Sequence, residues 1–188
     1  MSESLQVSLL YAWAQTLLFL GQNKRALPVF QEVVRRAPRR QEAWNVLAYL
    51  LAEKGELSEA IPAFEQALAL RPNDAALLFN AAFTLQRAGR HAEAMERFLR
   101  AIELDPKLDR AWYGLGLSLA HVGRYEEAVT RLREAARLQP FNPYAGYHLA
   151  AVLFKLGRRN EVNAEYLRIK DFDPKISDLM RREFGIEE

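Results

Sequence analysis

A proline recurs every 34 residues along this chain, and this spacing constrains the fold more than any other feature of the sequence. The five prolines are Pro38, Pro72, Pro106, Pro140 and Pro174. With this proline numbered as position 32, five repeats follow one another without an insertion, at residues 7–40, 41–74, 75–108, 109–142 and 143–176. Such a period predicts a chain of small structural units, each burying its apolar face against its neighbours.

Three further columns align in the same register. Position 15 fits a sharp turn between two helices, because it is glycine in every unit: Gly21, Gly55, Gly89, Gly123 and Gly157. Position 20 is small, at Ala26, Ala60, Ala94, Ala128 and Val162, and position 24 is large, at Phe30, Phe64, Phe98, Leu132 and Tyr166. Apolar spacing predicts helix A over positions 1–14 and helix B over positions 18–31, and no strand pattern persists, so we predict an all-α fold.

These columns resemble the tetratricopeptide repeat (TPR) family. The resemblance is clearest in the second 34-residue repeat, at Trp44, Leu47, Ala48, Leu51, Gly55, Ala60, Phe64, Ala67 and Pro72, and in the fourth repeat, at Trp112, Leu115, Gly116, Leu119, Gly123, Tyr125, Ala128 and Pro140. It covers residues 7–176, and the first and fifth units depart most from the pattern. It implies one domain over residues 1–188, a right-handed superhelical solenoid of antiparallel helix pairs.

The tail after Ile176 contains one more apolar pattern, formed by Leu179, Met180 and Phe184. We predict a short helix with Ser177 as its N-cap, which closes the last unit and gives a capping segment at residues 177–188. A partner-binding peptide remains the alternative for this tail.

The residue types and their spacing argue against most kinds of catalytic, metal-binding and nucleic-acid-binding site. The 26 basic and 24 acidic side chains nearly cancel, so there is no strong field to attract nucleic acid, and the absence of cysteine removes disulfides and thiolate sites. The basic cluster Arg35, Arg36, Arg39 and Arg40 suits a helix C-terminus, and the histidines His91, His121 and His148 lack the spacing of a helical metal pair. No phosphate loop or nucleophile motif occurs. We therefore predict no enzyme, no cofactor and no metal.

An uncharged stretch runs from Leu5 to Leu20 and includes Leu9, Leu10 and Trp13. It is too short to span a bilayer and contains several polar residues, so we expect a buried first helix, no membrane insertion and a cytoplasmic protein. The alternative is that this helix is exposed at the open end of the array and pairs with a second copy through residues 5–20, which would make the protein a self-associating structural scaffold.

In the TPR family, positions 2, 5, 6, 9, 12 and 13 of helix A line the concave surface where ligands dock, so the resemblance implies a binding groove there. We predict a scaffold or adaptor, with chaperone-like character included, that binds a peptide or helix of another protein through Tyr11, Asn45, Tyr49, Phe79, Asn80, Phe83, Arg87, Arg110, Tyr113, Tyr144, Tyr147 and Phe154. The family's carboxylate clamp is not expected, because no unit has Lys or Arg at position 5 or Asn at position 9. Whether the aromatic residues bind a ligand or pack on one another stays open.

Overall fold

The computed structural model describes residues 3–186, and all regular secondary structure in that range is α-helical. This confirms the predicted all-α fold class. The helices are α1 Glu3–Phe19, α2 Asn23–Arg36, α3 Gln41–Lys54, α4 Leu57–Leu70, α5 Ala75–Arg87, α6 His91–Leu104, α7 Asp109–His121, α8 Tyr125–Leu138, α9 Pro143–Lys155, α10 Arg159–Ile169 and α11 Pro174–Phe184. None of the described helices is long and apolar enough to cross a membrane.

The helix boundaries follow the 34-residue register. In repeats two to five, helix A begins at the first position of the unit, at Gln41, Ala75, Asp109 and Pro143. Each helix B begins one residue earlier than predicted, and α1 already begins at Glu3. The repeat register therefore predicts where most of these helices begin to within one residue.

The glycine column forms the turn between helix A and helix B, as the sequence predicts. Gly55 has a φ of +89°, a conformation that side chains with a Cβ rarely adopt. Its N–H donates to the Ala52 carbonyl, and the following N–H, of Glu56, donates to the Leu51 carbonyl, so the last carbonyls of α3 are satisfied. The other four glycines of the column also have positive φ, which explains why one residue type recurs there.

The core between the helices pairs the small column with the large one. Ala60 and Phe64 of the second repeat are both buried, and the same holds in the first, third and fourth repeats. Close approach is visible at Gly114 of α7, where an added Cβ would lie 2.4 Å from the Phe98 ring of α6. Phe98 therefore fills the space that the missing side chain leaves, and this packing joins consecutive repeats.

The chain divides into two compact units, one up to Gly89 and one from Arg90 onward. The first unit contains α1 to α5, and the second contains α6 to α11. Within each unit, every helix packs on the helix before it and the helix after it, and helix A of one repeat also contacts helix A of the next, as for α3 with α5 and α7 with α9.

The prediction for the capping helix is wrong at its start. α11 begins at Pro174, and its N-cap is Asp173, whose carboxylate accepts a hydrogen bond of 3.0 Å from the Ile176 N–H. Ser177 lies inside the helix, where it is buried and its hydroxyl donates to the Pro174 carbonyl. A proline at the first helical position needs no hydrogen bond for its nitrogen, and an aspartate in front of it caps well. The predicted apolar side is correct for Met180 and Phe184, which are both buried.

Candidate protein-binding site

Two exposed aromatic side chains occupy the same repeat position in consecutive repeats of the first unit. Tyr49 of α3 and Phe83 of α5 both occupy position 9 of their repeats and are 49% and 46% exposed. Their helices are in contact, and both side chains line one surface pocket. An aromatic pair that water reaches in two adjacent repeats is a surface that gains free energy when another chain covers it.

The pocket between these rings has an apolar floor and a charged rim. Ala52, Phe64 and Thr84 contribute to its lining, and Glu53 and Arg87 add one charge of each sign. Arg87 is held in place because its guanidinium donates a 3.0 Å hydrogen bond to the Ala52 carbonyl. The site therefore offers apolar contact together with one acidic and one basic group.

A second concavity adjoins the first through two residues that line both, Tyr49 and Asn80. It also contains Asn45, whose side-chain oxygen is buried and accepts no hydrogen bond from any described residue. We call the set Asn45, Tyr49, Asn80, Phe83 and Arg87 the first-unit groove.

Two further predicted site residues of the first unit are less accessible. Phe79 is 9% exposed and stacks on Phe83, with ring centroids 6.2 Å apart, so it helps to fix the position of the Phe83 ring. Tyr11 is half-buried against the edge of Phe30, and the Arg40 guanidinium lies 4.5 Å from its ring centroid. These two side chains therefore have little accessible surface for a ligand to contact.

In the second unit, the chain covers part of the predicted groove with its own C-terminal helix. The ring of Phe184, on α11, lies 5.8 Å from Tyr147 and 5.4 Å from Phe154. The Tyr147 hydroxyl donates a 2.6 Å hydrogen bond to Glu183, and Arg159 lies over the Phe154 ring and donates to the Phe184 carbonyl. Tyr147 and Phe154 therefore pack on residues of the same chain.

The remaining predicted residues of the second unit differ in exposure. Tyr113 is half-buried and meets His148 edge to face at 5.7 Å, and burial raises the pKa of its hydroxyl. Arg110 and Tyr144 are exposed, and Tyr144 is 56% accessible. Tyr144 is thus the predicted aromatic residue that remains most open in this unit.

The hydrogen bond between Tyr147 and Glu183 predicts an unusual titration. Together with burial and the nearby negative charge, it raises the pKa of the Tyr147 hydroxyl from an ordinary value of about 10 to about 12. The neutral phenol is thus favoured in the folded chain, so this contact stabilises α11 below pH 10 and is lost as the pH rises through about 12. We expect the ultraviolet phenolate signal that disappears in Tyr147→Phe to titrate near 12 in the wild type.

Glu183→Gln is the matched control for this titration. It removes the charge and the strongest acceptor, so the Tyr147 step should move back toward its ordinary pKa. A wild-type step that already lies at the ordinary value would show that α11 does not dock through this contact.

One pair of side chains, His91 and His121, was not predicted to meet from the sequence. Their rings stack in the second unit with centroids 3.8 Å apart, although they lie in different repeats. Burial lowers the pKa of His91, and the proximity of His121 lowers it further. Within residues 3–186, no group of three or more His, Cys, Asp or Glu side chains could hold a metal ion. Nothing short of the folded structure brings these two histidines together.

Most arginines of the basic cluster interact with nearby residues of the same chain. Arg35 and Arg36 both pair with Glu32, and these hydrogen bonds lower the pKa of that carboxyl to about 2. Arg40 lies over the Tyr11 ring, so three of the four guanidinium groups have a partner. This arrangement leaves less free positive charge than the sequence cluster suggests.

Sequence comparison agrees with this architecture of helical hairpins. Two models described as tetratricopeptide repeat match residues 11–75 and 51–116, and one described as TPR repeat matches residues 119–157. The chain belongs to the tetratricopeptide repeat family. Membership in this family supports a protein–protein interaction scaffold as the general role of this TPR protein. No curated protein sequence matches it.

Solved structures with the same fold cover nearly the whole TPR chain. A crystal structure of MamA has a TM-score of 0.83 at 15% identity and covers 97% of both chains. YrrB, described as a TPR protein with an unusual peptide-binding site, has a TM-score of 0.79 at 19% identity and covers 91% of this chain and 89% of its own. PilF of Pseudomonas aeruginosa has a TM-score of 0.79 at 20% identity, with 97% and 84% covered. At these identities the likeness concerns the fold.

Proposed function

We propose that this TPR protein is a non-catalytic adaptor that binds a segment of another protein in the first-unit groove. The observation that carries the proposal is the exposure of Tyr49 and Phe83 on adjacent repeats, whereas Phe184 packs on Tyr147 in the second unit. Tyrosine and phenylalanine offer large rigid contact areas at a low cost in conformational entropy. YrrB supports the proposal as a TPR protein of similar fold that has a peptide-binding site.

The polar groups of the groove favour an extended peptide over a helix. A helix has already satisfied most of its backbone N–H groups, whereas an extended segment offers free N–H and C=O groups on alternate sides. Asn45 and Asn80 line the concavity beside Tyr49, and their amides can donate and accept hydrogen bonds with a peptide backbone. An extended segment with apolar side chains beside Tyr49 and Phe83 uses all of these groups.

A peptide selection tests the proposal. A random peptide library is selected on the wild-type chain and counter-selected on a Tyr49→Ala, Phe83→Ala variant. We expect the enriched peptides to carry at least two apolar anchors and to tolerate proline outside the anchors, since extended chains accept it. Enrichment that is the same on the variant contradicts the proposal.

The same selection separates an adaptor from a chaperone-like protein. A shared sequence among the enriched peptides supports an adaptor with one partner class, and enrichment for apolar composition without a shared sequence supports chaperone-like binding of unfolded segments. The cytoplasmic location expected from the sequence belongs to this proposal, and cell fractionation tests it.

A further inference from the structure

One face of helix A is buried in every repeat except the first. Positions 3, 7 and 10 share this face because they are spaced one and two helical turns apart. In the second unit, position 3 is Ala145, and it packs in one cluster with Ala135 and Ala136 from helix B of the preceding repeat. The buried residues in repeats two to five are Ala43, Leu47, Leu50, Leu77, Ala81, Thr84, Ala111, Leu115, Ser118, Ala145, Leu149 and Val152.

In the first repeat the same positions are exposed although they are mostly apolar, so the expectation of a buried first helix is wrong for this side of α1. Leu9 and Trp13 are 54% and 49% exposed, and Thr16 is exposed as well. Phe19 and Leu20 extend the stripe at 89% and 57% exposure, whereas the opposite side of α1, including Ala14 and Leu17, is buried against its own repeat. We call Leu5, Leu9, Ala12, Trp13, Thr16, Phe19 and Leu20 the α1 face.

The size of this face suits a modest protein interface. The exposed fractions of its five large apolar side chains leave on the order of 500 Å² of apolar surface in water, at the upper end of what a monomer shows. Two such faces together bury on the order of 1,000 Å², close to the lower limit of about 1,200 Å² for specific interfaces. A dimer of this size should depend on protein concentration.

We propose that the α1 face binds the α1 face of a second copy of this chain. No charged residue occurs between Ser4 and Asn23, so two copies can meet without like charges facing each other and without burying an ion. A charged partner would find no complementary group here. A second copy supplies a surface of the same chemistry, and a two-fold axis makes the contact self-complementary.

Helix α11 is a poor partner for the α1 face in a head-to-tail filament. The final helix, α11, exposes Lys175, Asp178, Arg182 and Glu183. Covering such a helix with an apolar face would bury charges, which costs several kcal/mol for each unpaired ion. The α1 face therefore pairs with itself, and the assembly closes at two copies.

The distribution of large residues along α1 favours an antiparallel pair. Phe19 and Leu20 lie at one end of the face, and Leu5 alone lies at the other. An antiparallel arrangement brings the large end of one copy onto the small end of the other and also opposes the helix dipoles favourably. Ala12 and Trp13 then lie at the two-fold axis, with Leu5 beside Leu20 of the second copy.

Disulfide trapping tests this geometry cleanly, because the natural chain contains no cysteine. Ala12→Cys should form a disulfide-linked dimer under mild oxidation. Leu5→Cys and Leu20→Cys should cross-link when the two variants are mixed and less when either is alone. Gln66→Cys, on the exposed side of α4, is the control for random collisions. Trapping of Ala12→Cys at the rate of this control contradicts the proposal.

Sedimentation equilibrium provides the second readout. The wild type should show a concentration-dependent dimer, and Trp13→Glu should be monomeric with unchanged helical circular dichroism. Phe141→Glu, at an exposed aromatic residue of the turn between α8 and α9, should leave the dimer intact. The Tyr49→Ala, Phe83→Ala variant should also remain dimeric, which separates this interface from the groove. A strictly monomeric wild type, including one that binds neutral lipid vesicles instead, overturns the proposal.

Discussion

Replacing Phe98 by alanine is expected to lower the free energy of unfolding by about 3–5 kcal/mol, the range for truncating a fully buried phenylalanine. Phe98 has no exposed surface, and its ring occupies the space above Gly114 in the next repeat. The loss therefore combines apolar surface that is no longer buried with a cavity between α6 and α7. Urea-induced unfolding followed by circular dichroism measures it.

The neighbouring residue provides the matched control. Leu99 is on the same helix but is 42% exposed, so Leu99→Ala should cost less than about 1 kcal/mol. Gly114→Ala should also destabilise the chain because its Cβ would meet the Phe98 ring, and Phe98→Leu should relieve part of that cost in the double variant. Equal effects of Phe98→Ala and Leu99→Ala would show that the repeats are not joined by this packing.

The Tyr49→Ala, Phe83→Ala variant is expected to bind a selected peptide at least about 100-fold more weakly than the wild type. Aromatic residues at the centre of an interface commonly cost 2 kcal/mol or more when truncated, and about 1.4 kcal/mol corresponds to a tenfold change in affinity. Because both side chains are about half exposed, their removal should leave the helices folded. Titration calorimetry with the selected peptide measures the change.

A control truncation outside the groove makes this result specific. Leu70→Ala removes a 39% exposed apolar side chain at the end of α4 in the same unit and should change the affinity less than twofold. Circular dichroism of both variants confirms that the comparison is between folded proteins. An affinity that the double variant retains places the peptide elsewhere on the chain.

The repeat architecture was predictable from sequence because local chemistry dictates it. Glycine at position 15 adopts a conformation that other residues avoid, and the same turn therefore recurs wherever that glycine does. The start of α11 was not predictable from the register, since Pro174 aligns with four prolines that lie in turns between helices. The difference arises from Asp173, which supplies a cap four residues before the position at which a sixth repeat would begin.

The sequence predicts which helix face carries the candidate site, but it does not predict which side chains on that face are exposed. Helical periodicity places Tyr49 and Tyr147 on equivalent sides of their helices, yet only Tyr147 meets a residue of α11. Exposure depends on contacts between residues far apart in sequence, and a repeat pattern does not contain them. The stacking of His91 on His121 was missed for the same reason.

Photo-crosslinking from the groove tests the central claim most directly. A photoreactive benzoylphenylalanine in place of Phe83 keeps the aromatic ring and reports whether a bound peptide lies beside it. The same replacement at Phe141, which is 81% exposed in the second unit, is the control. We expect the selected peptide to cross-link to position 83 and not to position 141. Cross-linking at position 141 but not at position 83 would contradict the assignment of the first-unit groove as the binding site.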